Sequence, residues 1–243
     1  MPAAYEPENL PSILELFGVS LRRDKTSVSQ EDYLKAIWEM HEEDQVPISA
    51  RLAEELDVTP PAVTAAIKRM ARDGHVKMQR GGEILLTAQG RKLAQRLMLR
   101  HQLAEMLLTE VIGLPWSKSH AEAERMEHAI SPEVEALLLK RFAAHKTCPH
   151  GVPLSGGVSQ LRKQGGVLLS ELRAGDSATL LCVYEKDEGF LDFLENLHLL
   201  PSVKLEVLER GYDETLTLRV AGETIHLGKT ATSRIWVRPS ANK

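Results

Sequence analysis

The sequence predicts a mainly α-helical protein that ends in a small β-barrel, and three observations support this fold class. Most segments between residues 27 and 145 repeat apolar side chains at helical spacing. Within them, residues 46–90 follow the order helix, turn, helix and hairpin, which is typical of a winged helix-turn-helix. After residue 166 the pattern changes to short strands, which favours a small barrel.

The helix-turn-helix prediction depends on a few local signals. An amphipathic helix is expected over 27–44, followed by a short helix and a tight turn. A second helix begins at Thr59, a good N-cap residue, before two prolines that the first helical turn tolerates. Asp73-Gly74 ends that helix, and "VKMQRGGEILLT" predicts a hairpin around its Gly-Gly pair.

Longer helices are expected downstream, over 89–113, 117–130 and 132–145. Four strand-like segments then follow, interrupted by the helical stretch "DEGFLDFLENLHLL". The predicted organisation is an N-terminal arm at 1–26, a winged helix-turn-helix domain at 27–96, a helical domain at 97–151, a linker at 152–168 and a barrel at 169–243.

The composition is that of an ordinary globular protein, with 43% hydrophobic and 26% charged residues. Two cysteines provide no disulfide framework and favour a reducing compartment. The sequence shows no signal-peptide pattern and no apolar run of about 18 residues, which predicts no membrane span and a cytoplasmic location.

The net charge of −4 is unevenly distributed. Residues 45–100 hold ten Lys and Arg against five Asp and Glu, a local charge of +5, so the rest of the chain carries −9. A basic segment in an acidic protein predicts a local contact with a polyanion, although an ordinary charged surface is the alternative.

In a helix-turn-helix, the second helix enters the major groove with its N-terminal residues at the base edges. The candidates are Thr59, Pro61, Ala62 and Thr64 for the bases, Lys68, Arg69 and Arg72 for phosphates, and Arg80 at the hairpin tip for the DNA backbone or minor groove. The alternative use of such a helical hairpin is contact with another protein.

The stretch "AEAERMEHAIS" concentrates carboxylates and an imidazole on one helix face. Glu124, Glu127 and His128 have the spacing i, i+3 and i+4, and His120 lies one turn before them. This pattern is typical of metal ligands, and a solvated charged face paired through Arg125 is the alternative. Two weaker signals point the same way. His101 and Glu105 are four apart on the preceding helix, and "CPH" places Cys148 and His150 two apart in a loop.

Together these segments resemble the diphtheria-toxin-repressor family of metal-dependent transcriptional regulators, and within it the manganese-responsive (MntR/SirR-like) three-domain branch. The resemblance rests on "EDYLKAIW", "VTPPAVTAAIKRMARDGHV", "LTAQGRKLA", "RHQLAEMLL", "HAEAERMEHAIS" and "CPHG", in that order from about residue 27 to 151. It implies that the helical domain binds metal and forms a homodimer, and that the barrel is an SH3-like (FeoA-type) domain. Residues 1–26 lie outside the match.

The resemblance also implies two metal sites. The first site would use Asp32, Glu124, Glu127 and His128, and the second a subset of His101, Glu105, His120, Cys148, His150 and a barrel carboxylate, Glu185. Iron-responsive members have Met and Cys where this chain has Asp32 and Glu124, and hard oxygen donors favour Mn(II), although Fe(II), Co(II), Zn(II) or Cd(II) could bind in vitro. One departure stands out, because manganese-responsive two-domain members have a glutamate where this chain has Lys35, and a charged lysine cannot ligate a metal.

The implied function is a manganese-dependent DNA-binding regulator that represses metal-uptake genes at a palindromic double-stranded operator when Mn(II) is bound. Iron sensing by the same family is the main alternative. Two alternatives come from other functional classes. They are a metal-dependent enzyme with an open coordination position and an adaptor protein. The sequence has no Gly-rich phosphate loop, nucleophile elbow or His-Glu-x-x-His motif, so we expect no enzymatic activity.

Overall fold

The computed structural model describes residues 28–154 and 156–240, so the arm predicted for residues 1–26 lies outside the described residues. The N-terminal part is a winged helix-turn-helix, as the sequence predicts. Its elements are helices α1 (Val28–Glu42), α2 (Ser49–Glu55) and α3 (Pro60–Arg72), followed by strands β1 (Val76–Met78) and β2 (Ile84–Leu86). The two strands pair antiparallel to form the wing.

Helix α3 is amphipathic, and its apolar side is buried against the other two helices. Val63, Ile67 and Met70 are almost completely buried, together with Leu34 and Ile37 of α1. Thr59 occupies the N-cap position of α3, but its hydroxyl makes no capping hydrogen bond. Gly74 follows the helix at a φ of +80°, a conformation that glycine adopts without strain.

The central part consists of helices. Helix α4 (Ala88–Met106) begins at Thr87, whose hydroxyl accepts from the Gly90 backbone N–H, and continues as a π-helical segment, Leu107–Ile112. A 3-10 turn (Trp116–Lys118), α5 (Ser119–Met126), a second 3-10 turn (Glu127–Ala129) and α6 (Pro132–Arg141) follow. The helix expected over 117–130 is therefore shorter, since its last residues tighten into the 3-10 turn.

The C-terminal part contains a six-stranded antiparallel sheet in the order β3-β8-β4-β5-β6-β7. Its elements are β3 (Val167–Leu168), β4 (Ser177–Val183), α8 (Glu188–Asn196), β5 (Lys204–Arg210), β6 (Leu216–Val220), β7 (Glu223–Leu227), α9 (Lys229–Thr232) and β8 (Ile235–Pro239). The register between β4 and β8 shifts between Leu180 and Cys182, which marks a bulge.

The segment predicted as a linker, residues 152–168, contains ordered structure. Helix α7 (Val158–Lys163) lies in it, and its Leu161 is 4% exposed. Leu161 packs with Cys148, Val152 and Cys182 in a small apolar cluster between the helical part and the sheet. The Gly, Ser and Pro content predicts a linker, and the structure attaches part of this segment to its surroundings through the apolar contact of Leu161. In the described part of the chain, no helix is long and apolar enough to cross a membrane.

Candidate metal centres

Two clusters of metal-type donor side chains lie where α1, α4, α5 and the C-terminal sheet domain meet. We call one the first cluster, with Glu31, Asp32, Lys35, Glu124, Glu127 and His128. We call the other the second cluster, with His101, Glu105, His120, Cys148, His150 and Glu185. The structure thus brings the predicted ligands of each site close together.

Local helix geometry explains the first cluster. Residues 31, 32 and 35 share one face of α1, because positions i, i+3 and i+4 of a helix are neighbours. That face meets the end of α5, where the change to a 3-10 turn directs the His128 imidazole towards α1. As a result, the DNA-binding part and the helical part of the chain both contribute donors to the first cluster.

His128 is held between two carboxylates of α1. Its Nε2 lies 2.8 Å from Asp32 Oδ1, and its Nδ1 lies 2.8 Å from Glu31 Oε2. Hydrogen bonds to Asp32 and Glu31 raise the pKa of His128 to about 10. The imidazole is therefore a cation in this arrangement, and a metal bound at His128 has to displace a proton.

Lys35 lies among the other carboxylates of the first cluster. Its Nζ is 2.7 Å from Glu124 Oε1 and 2.9 Å from Glu127 Oε2, and its side chain is 6% exposed. Burial opposes the charge, but Glu39, Glu127 and Glu124 outweigh it and raise the pKa of Lys35 above its usual value. Burial likewise tends to raise the pKa of Glu124, but Lys35 lowers it to about 2.

The four predicted ligands of the first site consequently do not form a single group. Asp32, Glu127 and His128 make one set of converging donors, with ligand atoms within 4.8 Å of one another. Glu124 belongs to a second set, with Glu127 and His101. Glu127 is shared by both sets, and the Lys35 ammonium lies beside the set that contains Glu124.

The second cluster is built around Glu105 of α4, which is completely buried. Glu105 Oε1 lies 3.0 Å from His101 Nε2, 3.3 Å from His120 Nδ1 and 3.0 Å from His150 Nδ1. Glu185, which follows β4, lies on the other side, with Oε2 3.5 Å from His150 Nδ1. Cys148 Sγ is 3.8 Å from the same Glu185 oxygen.

The "CPHG" turn is pressed against β4, which explains how Cys148 and His150 reach the cluster. Gly151 has a φ of +91°, and a Cβ there would lie 1.9 Å from the carbonyl oxygen of Leu181. Only glycine fits this approach. The Val183 backbone N–H donates to the His150 carbonyl at 3.1 Å, so the turn is attached to the strand.

In the second cluster, Glu105 Oε2 is a buried polar atom without a hydrogen-bond partner in the described part of the chain, whereas His150 Nδ1 is in ion-pair contact with Glu105 Oε1 at 3.0 Å. His150 Nε2 lies 3.3 Å from the Trp116 carbonyl, which fixes that nitrogen as the donor and leaves Nδ1 available as a ligand. Unpartnered buried polar atoms are rare and costly. Nitrogen, oxygen and sulfur donors together fit a divalent transition metal.

Charge within the second cluster is balanced between two carboxylates. Burial tends to raise the pKa of Glu105, but His150 and His101 lower it well below its usual range. Burial and the nearby Glu105 raise the pKa of Glu185. Burial, Glu105 and Glu185 also raise the pKa of the Cys148 thiol, so a metal bound to that sulfur displaces its proton.

His101 connects the two clusters. Its Nδ1 lies 2.7 Å from Glu127 Oε2, and its Nε2 lies 3.0 Å from Glu105 Oε1. Burial and Lys35 oppose protonation of His101, but Glu105 and Glu127 raise its pKa to about 10.

The sequence did not predict the contacts made by Glu31 and by the Lys35 ammonium. Glu31 is adjacent to Asp32, and Lys35 is one helical turn away from both. Helical spacing was therefore the sequence signal that could have placed these two residues at the first cluster.

The predicted DNA-contacting residues are all on the surface. The exposed residues are Thr59, Pro61, Ala62, Thr64, Lys68, Arg69 and Arg80. Thr64 Oγ1 donates to the Pro60 carbonyl at 3.0 Å.

Part of the excess of basic residues over 45–100 has another role, because Arg96 and Arg100 both donate to the buried carboxylate of Glu135. Those two arginines thus stabilise the helical part.

Comparison with protein families assigns each part of the chain. Residues 25–82 match "Iron dependent repressor, N-terminal DNA binding domain". Residues 87–154 match "Iron dependent repressor, metal binding and dimerisation domain", and residues 167–239 match "FeoA domain". The mainly helical fold with a winged helix-turn-helix, a helical dimerisation domain and an SH3-like C-terminal domain is therefore confirmed.

The curated relatives are named as repressors, and several of them are named iron-dependent. The chain is 39% identical over 176 residues to the iron-dependent repressor IdeR of Mycobacterium tuberculosis, which covers 69% of this chain and 76% of the relative. It is 46% identical over 126 residues to the diphtheria toxin repressor of Corynebacterium jeikeium, a match that spans 52% of each chain.

The similar solved structures include a manganese-dependent repressor and an IdeR. A manganese-dependent transcriptional repressor in complex with manganese superposes with a TM-score of 0.78 at 29% identity, covering 87% of this chain and all of the other. The IdeR of T. acidophilum gives a TM-score of 0.71 at 26% identity, covering 88% and 100%. The chain thus belongs to the iron-dependent repressor family, whose members are metal-dependent DNA-binding transcriptional repressors and not enzymes.

Proposed function

We propose that this protein is a manganese-dependent repressor that binds operator DNA as a homodimer and represses metal-uptake genes when Mn(II) is bound. The observation that carries the proposal is the donor set of the first cluster. Asp32, Glu124 and Glu127 supply only carboxylate oxygens, and His128 supplies one imidazole. Carboxylate oxygen is the donor type that suits Mn(II), and softer sulfur donors favour other metals.

We assign the first site to Asp32, Glu127 and His128, with Glu124 completing the set when its contact with Lys35 opens. The second site is assigned to a subset of the six residues of the second cluster. Lys35 already neutralises Glu124 and Glu127, so we infer that the first site of this chain holds one metal ion and not a closely spaced pair.

Ligands from two domains provide the proposed switch. Asp32 belongs to α1 of the DNA-binding domain, and Glu127 and His128 belong to the dimerisation domain. When these residues share one ion, α1 is fixed relative to α5, and the reading heads of a dimer are fixed relative to each other. A palindromic operator requires that fixed separation. The metal shifts DNA affinity only by its preference for the competent arrangement.

The dimerisation domain exposes apolar side chains that fit a second copy of the chain. Val111, Ile112, Val134 and Leu137 are each between 39% and 62% exposed. On the DNA side, the proposed base contacts are Thr59, Pro61, Ala62 and Thr64, and the proposed phosphate contacts are Lys68, Arg69 and Arg80.

Iron-dependent repression is the second candidate. Two observations favour it: the curated relatives that match two thirds of the chain are named iron-dependent, and the second cluster includes the sulfur donor Cys148. Both candidates share the DNA-binding role and differ in the activating ion.

The test is fluorescence anisotropy with DNA from upstream of the manganese-transport genes of the source organism. The protein is titrated in chelator, in Mn(II) and in anaerobic Fe(II) at one salt concentration, because phosphate contacts make the affinity salt-dependent. Tight binding with Mn(II) alone supports the proposal, and tight binding with Fe(II) alone supports the second candidate. Equal binding in chelator would sink both metal-dependent candidates.

A further inference from the structure

Two consecutive residues of the connection between β4 and α8 point to different parts of the molecule. Glu185 lies in the second cluster, with Oε2 3.5 Å from His150 Nδ1. Lys186 contacts the DNA-binding domain, with Nζ 2.8 Å from Glu39 of α1 and 2.5 Å from Glu55 of α2. One short piece of backbone thus joins the metal-type donors to the helix-turn-helix.

The connection is attached at both ends, so a displacement of Glu185 is passed on to Lys186. The Tyr184 backbone N–H donates to the Arg234 carbonyl at 2.9 Å. At the other end, Asp187 caps α8 by accepting from the Phe190 N–H at 3.0 Å, and its carboxylate also pairs with Arg234 at 2.8 Å.

The contact made by Lys186 is partly shielded from solvent. The Lys186 side chain is 22% exposed and the Glu39 side chain 12% exposed, which limits screening by water and salt. Burial tends to raise the pKa of Glu39, but Lys186 and Lys35 lower it, so the carboxylate stays charged. Lys186 therefore bridges two charged groups on two helices of the DNA-binding domain.

A second set of contacts joins the same two parts. Ser159 Oγ donates to Glu42 at 2.5 Å, and Arg162 donates to Asp44 at 2.6 Å. Glu39, Glu42, Asp44 and Glu55 thus form an acidic face at the end of α1 and on α2. We call it the acidic docking face. Charge complementarity at this face orients the C-terminal part on the helix-turn-helix.

We propose that Lys186 is a positioning residue that couples the second cluster to the DNA-binding domain. A metal held by Glu185 and its neighbours fixes the middle of the connection in addition to its two attached ends, and Lys186 then holds α1 and α2 more firmly through Glu39 and Glu55. Lys186 touches neither metal nor DNA, and it acts through the carboxylates that it joins. The inference rests on the proposed metal-dependent function, because it assigns a route from the second site to the reading head.

The test uses the full chain and Cd(II), whose bond to the Cys148 thiolate produces an ultraviolet absorption band. The band reports occupancy of the second cluster, and hydrogen exchange of residues 49–55 reports the state of α2. In the native protein, we expect Cd(II) to slow exchange in α2 by about fivefold or more, the lower end of ordinary coupling between sites. In Lys186→Met, we expect the band to remain and the slowing to be lost.

Three further variants serve as controls for this interpretation. Lys229→Met removes another lysine that pairs with an acid, Glu214, but within the C-terminal domain, and it should behave as the native protein. Lys186→Arg should restore most of the slowing, and Glu55→Gln should reduce it from the opposite side.

The outcomes separate the inference from the proposed function. If Lys186→Met shows the absorption band and Cd(II) still slows hydrogen exchange in α2 as much as in the native protein, the inference is overturned. The assignment of the metal site is then unaffected. The same holds if the native protein shows the band without any slowing in α2. Absence of the band in the native protein would overturn the second site itself, and the inference with it.

Discussion

The two clusters differ in how their own side chains satisfy the charged groups. In the first cluster, the protein's own cations satisfy the carboxylates, since Lys35 pairs with Glu124 and Glu127 and a charged His128 pairs with Asp32. In the second cluster, Glu105 Oε1 pairs with His101 and His150, but Glu105 Oε2 is buried without a hydrogen-bond partner in the described residues. The first cluster is self-neutralised, and the second has an unused carboxylate oxygen.

This contrast implies that the free energy of metal binding differs between the two clusters. A metal in the first cluster competes with an ammonium and a proton for the same oxygens. A metal in the second cluster also displaces protons, but it satisfies a buried carboxylate oxygen, Glu105 Oε2, that otherwise has no hydrogen-bond partner in the described residues. We therefore expect the second cluster to bind the first equivalent of metal, and the first cluster to respond at higher metal concentration.

The largest expected effect comes from Glu105→Gln, because Glu105 belongs to both donor groups of the second cluster. A ligand present at 100 times its Kd stabilises the folded state by about 2.7 kcal/mol. That corresponds to a rise in Tm of about 5–11 °C for a chain of this size. Thermal unfolding with and without Mn(II) should show that Glu105→Gln loses the increment due to the second cluster.

Cys148→Ser is the milder comparison for that prediction, since it replaces one donor atom and keeps the volume nearly unchanged. It should reduce the metal-dependent rise in Tm without removing it. A full native rise in Glu105→Gln would mean that the second cluster holds no metal.

Glu127→Gln should have the next largest effect, because this buried carboxylate is shared by both donor sets and by Lys35. We expect loss of metal-stimulated DNA binding in anisotropy. We also expect a cost of about 1–3 kcal/mol in urea unfolding without metal, as a charged hydrogen bond is lost while Glu124 still pairs with Lys35. Glu122→Gln is the control, since Glu122 is exposed and pairs with Arg125. Unchanged metal dependence in Glu127→Gln would contradict the assigned first site.

Lys35→Met tests the self-neutralised state of the first cluster directly. Removal of the ammonium frees Glu124 and Glu127, so the Mn(II) affinity of the first cluster should rise about tenfold, equivalent to about 1.4 kcal/mol. Isothermal titration calorimetry measures this change, with Lys118→Met as a control at an exposed lysine of the same domain. In Lys35→Glu, elemental analysis should find one more metal ion per chain. An unchanged affinity in Lys35→Met would show that Lys35 does not compete with metal.

The smallest expected effect is on the DNA side, away from both clusters. Lys68→Ala should weaken DNA binding on specific and nonspecific sequences alike, and lower the slope of log affinity against log salt by about 0.9 for the lost phosphate contact. Lys204→Ala, at an exposed lysine of the C-terminal sheet, should leave the slope unchanged. If both variants behave alike, Lys68 does not contact phosphate.

Much of the fold could be predicted from the sequence because its signals are local. The apolar spacing of α3, its two prolines and Gly74 predict that helix and its end, and the Gly-Gly pair predicts the wing. The helix break after Met126 and the ordered helix α7 were not predicted. The position of α7 depends on packing, since its Leu161 is buried against Cys148, Val152 and Cys182.

The same division applies to the sites. Helical spacing is enough to place Glu124, Glu127 and His128 on one face, and the family resemblance adds Asp32 and the second set of donors. No local pattern indicates that the Lys35 ammonium lies between two of those carboxylates, or that Glu31 holds His128. Such contacts join residues about 90 positions apart, as in the case of Lys35 and Glu124.

The amino-acid sequence was thus sufficient for the fold class, the reading head and the types of donor, because periodicity and residue chemistry act over a few positions. The charge state and grouping of the donors required the folded molecule. They depend on which side chains burial brings within about 3–4 Å, where electrostatic interactions are strong enough to decide between an ammonium, a proton and a metal. The bridge from Glu185 through Lys186 to α1 and α2 likewise exists only after three parts of the chain have packed together.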